Sequence, residues 1–459
     1  MVELVLASIT AFSIADLRSL ARDPKKKEEL KSPEKILETP LTLESCLQVL
    51  NENYDVMKDC LGEDDHKNTM NSLNLIHSRF QRHNQLSSAG TKNKLLNFFP
   101  AASLVHSNRN VEVEKLSPML TYVGDEKSDV DMVYAVGIDP LKKRVTVAFR
   151  GSVTVTDFQK DAMISLNHQP NPVKNIDPNQ REKIGIHHGF YDYLLRPRKD
   201  GKNKYQEIMD HVEALFLECG RRKDYKLYVT GHSLGGALAT LFSLHAAASA
   251  GSRDGIIPQP VSCISVASPR VGDRGFQVAF CRLEEFGLLR HLRIANDRDP
   301  VTMMPSATSK KVWTRLSPIS YIAYKLADNK FDENEHFFHT GVKLRLAKDR
   351  WELCYLGATI SSDATEEALH DDTDSASCSS SGSNKKNLWS SWKSNKPKSR
   401  GSIRQDSFNQ SQLPDVNFHL GNAYIENLCS VKEDLVGISL NDLYFEKASS
   451  IFLDKFLEK

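Results

Sequence analysis

The stretch LYVTGHSLGGALATL, Leu227 to Leu241, constrains the fold of this chain more than any other. Tyr225 to Thr230 is a short apolar run rich in β-branched residues and predicts a buried strand. Gly236 to Ser249 is rich in Ala and Leu and predicts a helix. Between them the chain has only Gly231-His232-Ser233-Leu234-Gly235 in which to reverse. A turn that tight brings strand and helix almost into contact, so only small residues fit two before and two after its apex. Gly231 and Gly235 supply that room, and Ser233 is left at the apex. The spacing G-x-S-x-G is weak evidence alone, because Gly and Ser are common residues. Its setting of strand, turn and helix carries the weight.

The rest of the chain repeats this rhythm. MVYAVGI (Met132 to Ile138) and RVTVAF (Arg144 to Phe149) predict a hairpin across Asp139-Pro140-Leu141. Then come YKLYVT, VSCISVA (Val261 to Ala267) and LRHLRIA (Leu289 to Ala295), separated by helical segments. Strands alternating with helices predict an α/β fold, a mainly parallel sheet flanked by helices on both faces. VKLRLA and WELCYLG, running from Val342 to Gly357, predict a second hairpin. Residues 1–90 read as a helical N-terminal region and linker, with a charged, solvated PKKKEELKSPEK and a helically spaced TLESCLQVLNENYDVMKDCL. Residues 361–413 are Ser-rich, acidic first and then basic, with hardly any branched apolar residues. Such a segment buries too little apolar surface to offset its ordering entropy, so a disordered insertion is expected. Helical periodicity returns after it, which divides the chain into 1–90, a domain formed by 91–360 plus 414–459, and the insertion 361–413.

Bulk properties exclude several functions. The formal net charge is +1 over 459 residues, with both signs spread along the chain, which argues against nucleic acid as a partner. The 8 cysteines form no C-x-x-C pair and no metal spacing, a pattern suited to a reducing compartment. The opening MVELVLASITAFSIADLRSL has an apolar core too short to span a bilayer, and Glu3 stands where a secretory leader would place a basic residue. A cytoplasmic or peripheral-membrane location is therefore expected rather than secretion, with this segment as an amphipathic helix packed on the domain.

A serine at such an apex becomes a nucleophile when a base takes its proton and a third group orients the base. The backbone N–H of Leu234, opening the helix, points toward a developing oxyanion. Phe149-Arg150-Gly151-Ser152 closes an upstream strand, and Ser152 offers a second donor there, with Gly151 allowing close approach. AFRGSVTVTDFQKDA, IHHGFYDYLL, VTGHSLGGALATL, VASPRVGD and NDRDPVTMMP, in this order and approximate spacing, resemble the class 3, fungal-type triacylglycerol lipases and their plant and algal relatives. The resemblance covers about residues 115 to 345 and the tail after 413. It implies an α/β-hydrolase-type fold and cleavage of glycerolipid esters without a metal or organic cofactor.

Carried over residue by residue, the resemblance makes Ser233 the nucleophile and assigns the oxyanion hole to Ser152 and Leu234, with Gly231 and Gly235 as the elbow glycines. Asp299-Pro300-Val301 matches the acid's position, although a Pro directly after the Asp departs from the usual pattern and Asp297 stands two residues away. Among 15 His, Phe418-His419-Leu420 followed by Asn422-Ala423-Tyr424-Ile425 resembles the family's late base, with His339 or His336 as the alternative. His232 is expected to pack beside the strand.

Two segments are candidates for lipid access. One is the stretch from Thr156 to Lys183, where the family carries a lid; it holds Phe158, Met163, Ile164 and Leu166 and then turns polar, which suits small or partly soluble esters as readily as a fat droplet. The other is KKVWTRLSPISYIAYKLA, aromatic residues beside Lys310 and Lys311. In the insertion, Arg404-Gln405-Asp406-Ser407 suits a basophilic kinase, and Trp389 and Trp392 among lysines suit anionic membrane. The expected partners are thus a glycerolipid, a membrane or lipid-droplet surface and a kinase. Three readings stand: a tri- or diacylglycerol lipase, a phospholipase or galactolipase with the same triad, and a lipase-like scaffold without turnover.

Overall fold

The computed structural model describes residues 13–61, 119–125, 132–140, 142–151, 165–218, 224–249, 256–305, 337–348, 350–355, 358–361 and 416–431, with a few single positions between 67 and 78 and at 435. Residues 152–164 and 306–336 lie outside these, as does nearly all of the insertion. The expectations for Ser152, Phe158, Met163, Ile164, His336, the Trp313 region, Trp389, Trp392 and Ser407 therefore fall outside the described residues.

The centre is a sheet ordered β1-β2-β3-β4-β7-β8-β9-β10-β11-β12. Its strands are β1 (Leu41–Thr42), β2 (Met119–Gly124), β3 (Tyr134–Asp139), β4 (Arg144–Phe149), β7 (Lys226–His232), β8 (Val261–Val266), β9 (Leu289–Asn296), β10 (Val342–Ala347), β11 (Arg350–Tyr355) and β12 (Ala358–Ser361). Neighbours from β4 through β10 run parallel, and antiparallel strands extend both edges. This is the α/β-hydrolase-type, mainly parallel sheet expected, with both hairpins where the alternation put them. A separate hairpin joins β5 (Leu166–Pro170) to β6 (Lys183–His187). It occupies the polar end of the first lid candidate. The N-terminal region, read as helical, also contributes β1 to the edge of the main sheet, where it pairs with β2.

Burial explains the order. Every residue of β8 is buried, as a central parallel strand covered on both faces requires. One core gathers Val145, Val147, Val229 and Cys263 with helix residues such as Leu238, Phe242, Phe276 and Phe280. The helix Leu234–Ser249 is buried on nearly all sides because it lies inside that core rather than on its surface. A second core joins Val266, Leu292, Ile294, Leu344 and Trp351 to Tyr424 and Leu428 of the helix Gly421–Ser430, which returns the late part of the chain to the sheet. A third holds Ile14 and Leu17 against Ile36, Leu47 and Leu50. The helical residues 13–22 thus bury an apolar face, as expected for an amphipathic helix. Arg150, at the end of β4, is tied to this layer by an ion pair to Asp16 at 3.1 Å.

Candidate active site

Parallel strands place their C-terminal ends along one edge, and β7, β8 and β9 all open there. The chain leaves each through a strained residue: Ser233 at φ 58°, Ala267 at φ 53° and Arg298 at φ 68°. Non-glycine residues enter this left-handed region at a cost and concentrate where function demands it. At Ser233 the turn is as tight as the sequence implies. A Cβ on Gly231 would run into the carbonyl of Gly235, and one on Gly235 would run into the carbonyl of Phe149 in β4. Gly151 sits equally close: a Cβ there would lie 2.7 Å from the carbonyl oxygen of His232. Ser233 N–H is held by Val266 O at 2.9 Å, which pins the apex to β8. Leu234 begins the helix, and N–H groups in a helix's first turn have no partner within it.

The three separated candidates meet at this edge. His419 Nε2 lies 2.9 Å from Ser233 Oγ. On its other side Nδ1 lies 3.0 Å from Asp299 Oδ2 and 3.2 Å from Oδ1. All three side chains are buried, Ser233 at 6%, His419 at 3% and Asp299 at 1% exposure. Asp299 follows β9 and caps its own loop, with Oδ1 accepting from Val301 N–H at 2.9 Å. Pro300 directly after the Asp begins the short 3-10 turn Val301–Met303, so the departure from the family pattern is accommodated there. Asp297 turns elsewhere: its carboxylate is paired with the guanidinium of Arg345. Asp297 is thus ion-paired and only 17% exposed rather than directed at His419.

His339, the alternative base, faces a different group. Its Nε2 donates to the carbonyl of Thr302 at 2.7 Å, and burial, with Arg293 and Arg270 nearby, holds its imidazole well below the usual range. Arg270 donates to the carbonyls of Met303 at 3.0 Å and Pro305 at 3.2 Å. Together these two side chains clamp the loop that carries Asp299.

Two contributors were invisible in the sequence pattern. Tyr424, fully buried in the helix after His419, donates its hydroxyl to Asp299 Oδ2 at 2.6 Å and accepts from Asn296 N–H at 2.8 Å. Burial, then the adjacent carboxylate, hold its phenol well above the usual range, so it stays a donor. Asn296, the last residue of β9, also donates through Nδ2 to the carbonyl of Phe418 at 2.9 Å. Both read in the sequence as ordinary strand-end and helix residues, and only the FHLGNAYI run hinted at Tyr424.

A mainly parallel α/β sheet, a strained serine on a strand-to-helix elbow and a hydrogen-bonded Ser-His-Asp series define an α/β-hydrolase-type protein. The segment 146–309, which holds Ser233 and Asp299, matches the family described as Lipase (class 3). The chain is 32% identical over 181 residues to Phospholipase A1-II 3 of Oryza sativa subsp. japonica, covering 38% of this chain and 42% of that protein. It is 26% identical over 211 residues to the chloroplastic galactolipase DONGLE of Arabidopsis thaliana, covering 45% and 41%. A solved triacylglycerol lipase from Penicillium expansum is 19% identical, with a TM-score of 0.34 and coverage of 50% of this chain and 70% of that one. The chain thus spans about two-fifths of the length of the curated relatives it matches. Among the described residues no helix is long and apolar enough to cross a membrane.

Proposed function

We propose that this protein hydrolyses carboxylic esters of glycerolipids with Ser233 as nucleophile, His419 as base and Asp299 as the group that orients it. The observation that carries the reading is the unbroken series Ser233 Oγ to His419 Nε2, and His419 Nδ1 to Asp299, on a strained elbow. His419 takes the proton as Ser233 attacks the ester carbonyl, and Asp299 stabilises the imidazolium that forms. The backbone N–H of Leu234, with Ser152 as the second donor, stabilises the oxyanion; water then releases the acyl group. Met303 after Asp299 and Leu420 after His419 are exposed apolar residues. Their position beside two triad members favours a substrate presented at a membrane or lipid-droplet surface. Within the ester class, the plant relatives named phospholipase A1 and galactolipase support polar glycerolipids beside tri- and diacylglycerols.

The test is hydrolysis of p-nitrophenyl esters from acetyl to palmitoyl by wild type and Ser233→Ala, followed by a panel of triacylglycerol, diacylglycerol, phospholipid and galactolipid. The expected result is a loss of about 10⁴-fold or more on removing the hydroxyl. Equal background rates in both proteins would sink the reading and favour a scaffold without turnover.

A further inference from the structure

His419 reaches Ser233 across 186 residues of sequence, so something other than the local chain must hold its backbone in place. The 3-10 turn Val416–His419 leaves carbonyls at its end without partners inside the turn. Two side chains from the sheet take them. Asn296 at the end of β9 takes the carbonyl of Phe418. His232, the last residue of β7, lies with Nε2 2.8 Å from the carbonyl oxygen of His419 itself. A carbonyl only accepts, so the hydrogen resides on Nε2 of His232. The two imidazole rings are 4.9 Å apart between centroids, and the ring of Tyr424 meets His232 edge-on at 6.0 Å.

We propose that His232 is a positioning residue, whose Nε2–H grips the main chain of the base from a point one residue before the nucleophile and so sets the Ser233–His419 distance. This rests on the triad reading above. The grip is short and direct: His232 is bonded covalently to Ser233, and its donor is bonded to the residue that carries the base. Drift of the late segment away from β7 stretches this bond. The choice of imidazole also suits the chemistry. His232 sits beside a ring that becomes a cation during turnover, and a lysine there would oppose that charge. Desolvation, followed by the neighbouring His419, pulls the imidazole of His232 down to about 4, so it donates a hydrogen bond without adding charge at neutral pH.

The test compares His232→Gln, which keeps an N–H donor on a flexible stem, with His232→Met, of nearly the same size and shape but without the donor. His232→Phe supplies a second donor-free variant. The readouts are the rate of covalent labelling by a fluorophosphonate, kcat and KM on a p-nitrophenyl ester, and the thermal midpoint. Displacing reacting groups by about 1 Å costs on the order of 100-fold, so that loss is expected for His232→Met in labelling and kcat, with KM little changed. His232→Gln is expected to recover to within about tenfold of wild type, the equivalent of one neutral hydrogen bond's net worth. Donor-free variants reacting at the wild-type rate would overturn the proposal. So would Gln and Met variants that are equally slow at matching thermal midpoints, because packing rather than the donor would then be at work. A wild type as inert to the probe as Ser233→Ala would overturn the triad reading, and this inference with it.

Discussion

Tyr424→Phe removes one oxygen and leaves the ring packed in place, so its cost follows from the two bonds that oxygen makes. One is donated to the buried carboxylate of Asp299 at 2.6 Å; the other is accepted from Asn296 N–H at 2.8 Å. A hydrogen bond to a charged group contributes about 1.5–3 kcal/mol, and a buried N–H left without a partner costs about 1–3 kcal/mol. Relaxation makes the sum less than additive, so a loss of about 3–5 kcal/mol is expected. For a unit of this size that lowers the thermal midpoint by about 6–15 °C. Asp299 keeps its bonds from Val301 N–H and His419, so activity should fall by about 10- to 100-fold rather than vanish, at roughly tenfold per 1.4 kcal/mol. Urea titration of wild type, Tyr424→Phe, Asp299→Ala and the double variant measures the stability change and its coupling. A coupling above about 1 kcal/mol is expected for groups in direct contact. A stability change under about 0.5 kcal/mol, or strict additivity in the cycle, would refute the claim that Tyr424 holds the acid.

Two further outcomes follow from packing and burial. Gly235→Ala forces a methyl into the carbonyl of Phe149 and pushes the elbow away from β4, so it should reduce both fluorophosphonate labelling and stability, the latter by about 1–3 kcal/mol; a variant with wild-type labelling and melting would contradict the close approach. Burial lowers the imidazoles of His187, His232 and His245 to about 4 and that of His291 to about 3, against an ordinary value of 6.5. Below pH 6.5 the unfolded chain binds protons that these native sites refuse, so stability falls toward pH 4 by up to about 1.4 kcal/mol per pH unit for each group. The thermal midpoint should be flat above pH 7 and drop steeply below pH 6; a flat profile down to pH 4.5 would show these rings to be solvated rather than buried.

Much of the fold was legible because it is local. The hairpin β3–β4 and the strands β7, β8 and β9 announce themselves through alternation or continuous apolar runs, and each strand formed where its run lies. β1 escaped because two residues carry no period, and β5–β6 because LNHQP lacks an apolar face. The site divides in the same way. Ser233 is marked by its neighbours in sequence, whereas Asp299 and His419 are marked only by their likeness to a family's motifs. His232 read as a packing residue; its bond to His419 O spans 187 residues and leaves no local trace. Tyr424 and Asn296 are likewise recognisable only once β9 and the last described helix are side by side.

The amino-acid order alone therefore determined the elbow. At Gly231 the limit lies within five consecutive residues, because a Cβ there would meet the carbonyl of Gly235, whereas at Gly235 the excluding group is the carbonyl of Phe149 in the neighbouring strand β4. Which of the 15 His lies against Ser233, and that Asp299 rather than Asp297 lies against that His, belonged to the tertiary structure. Both depend on which strand ends share an edge and which carbonyls and carboxylates find partners there. They rest on contacts between residues 120 and 186 positions apart, beyond the reach of any local periodicity.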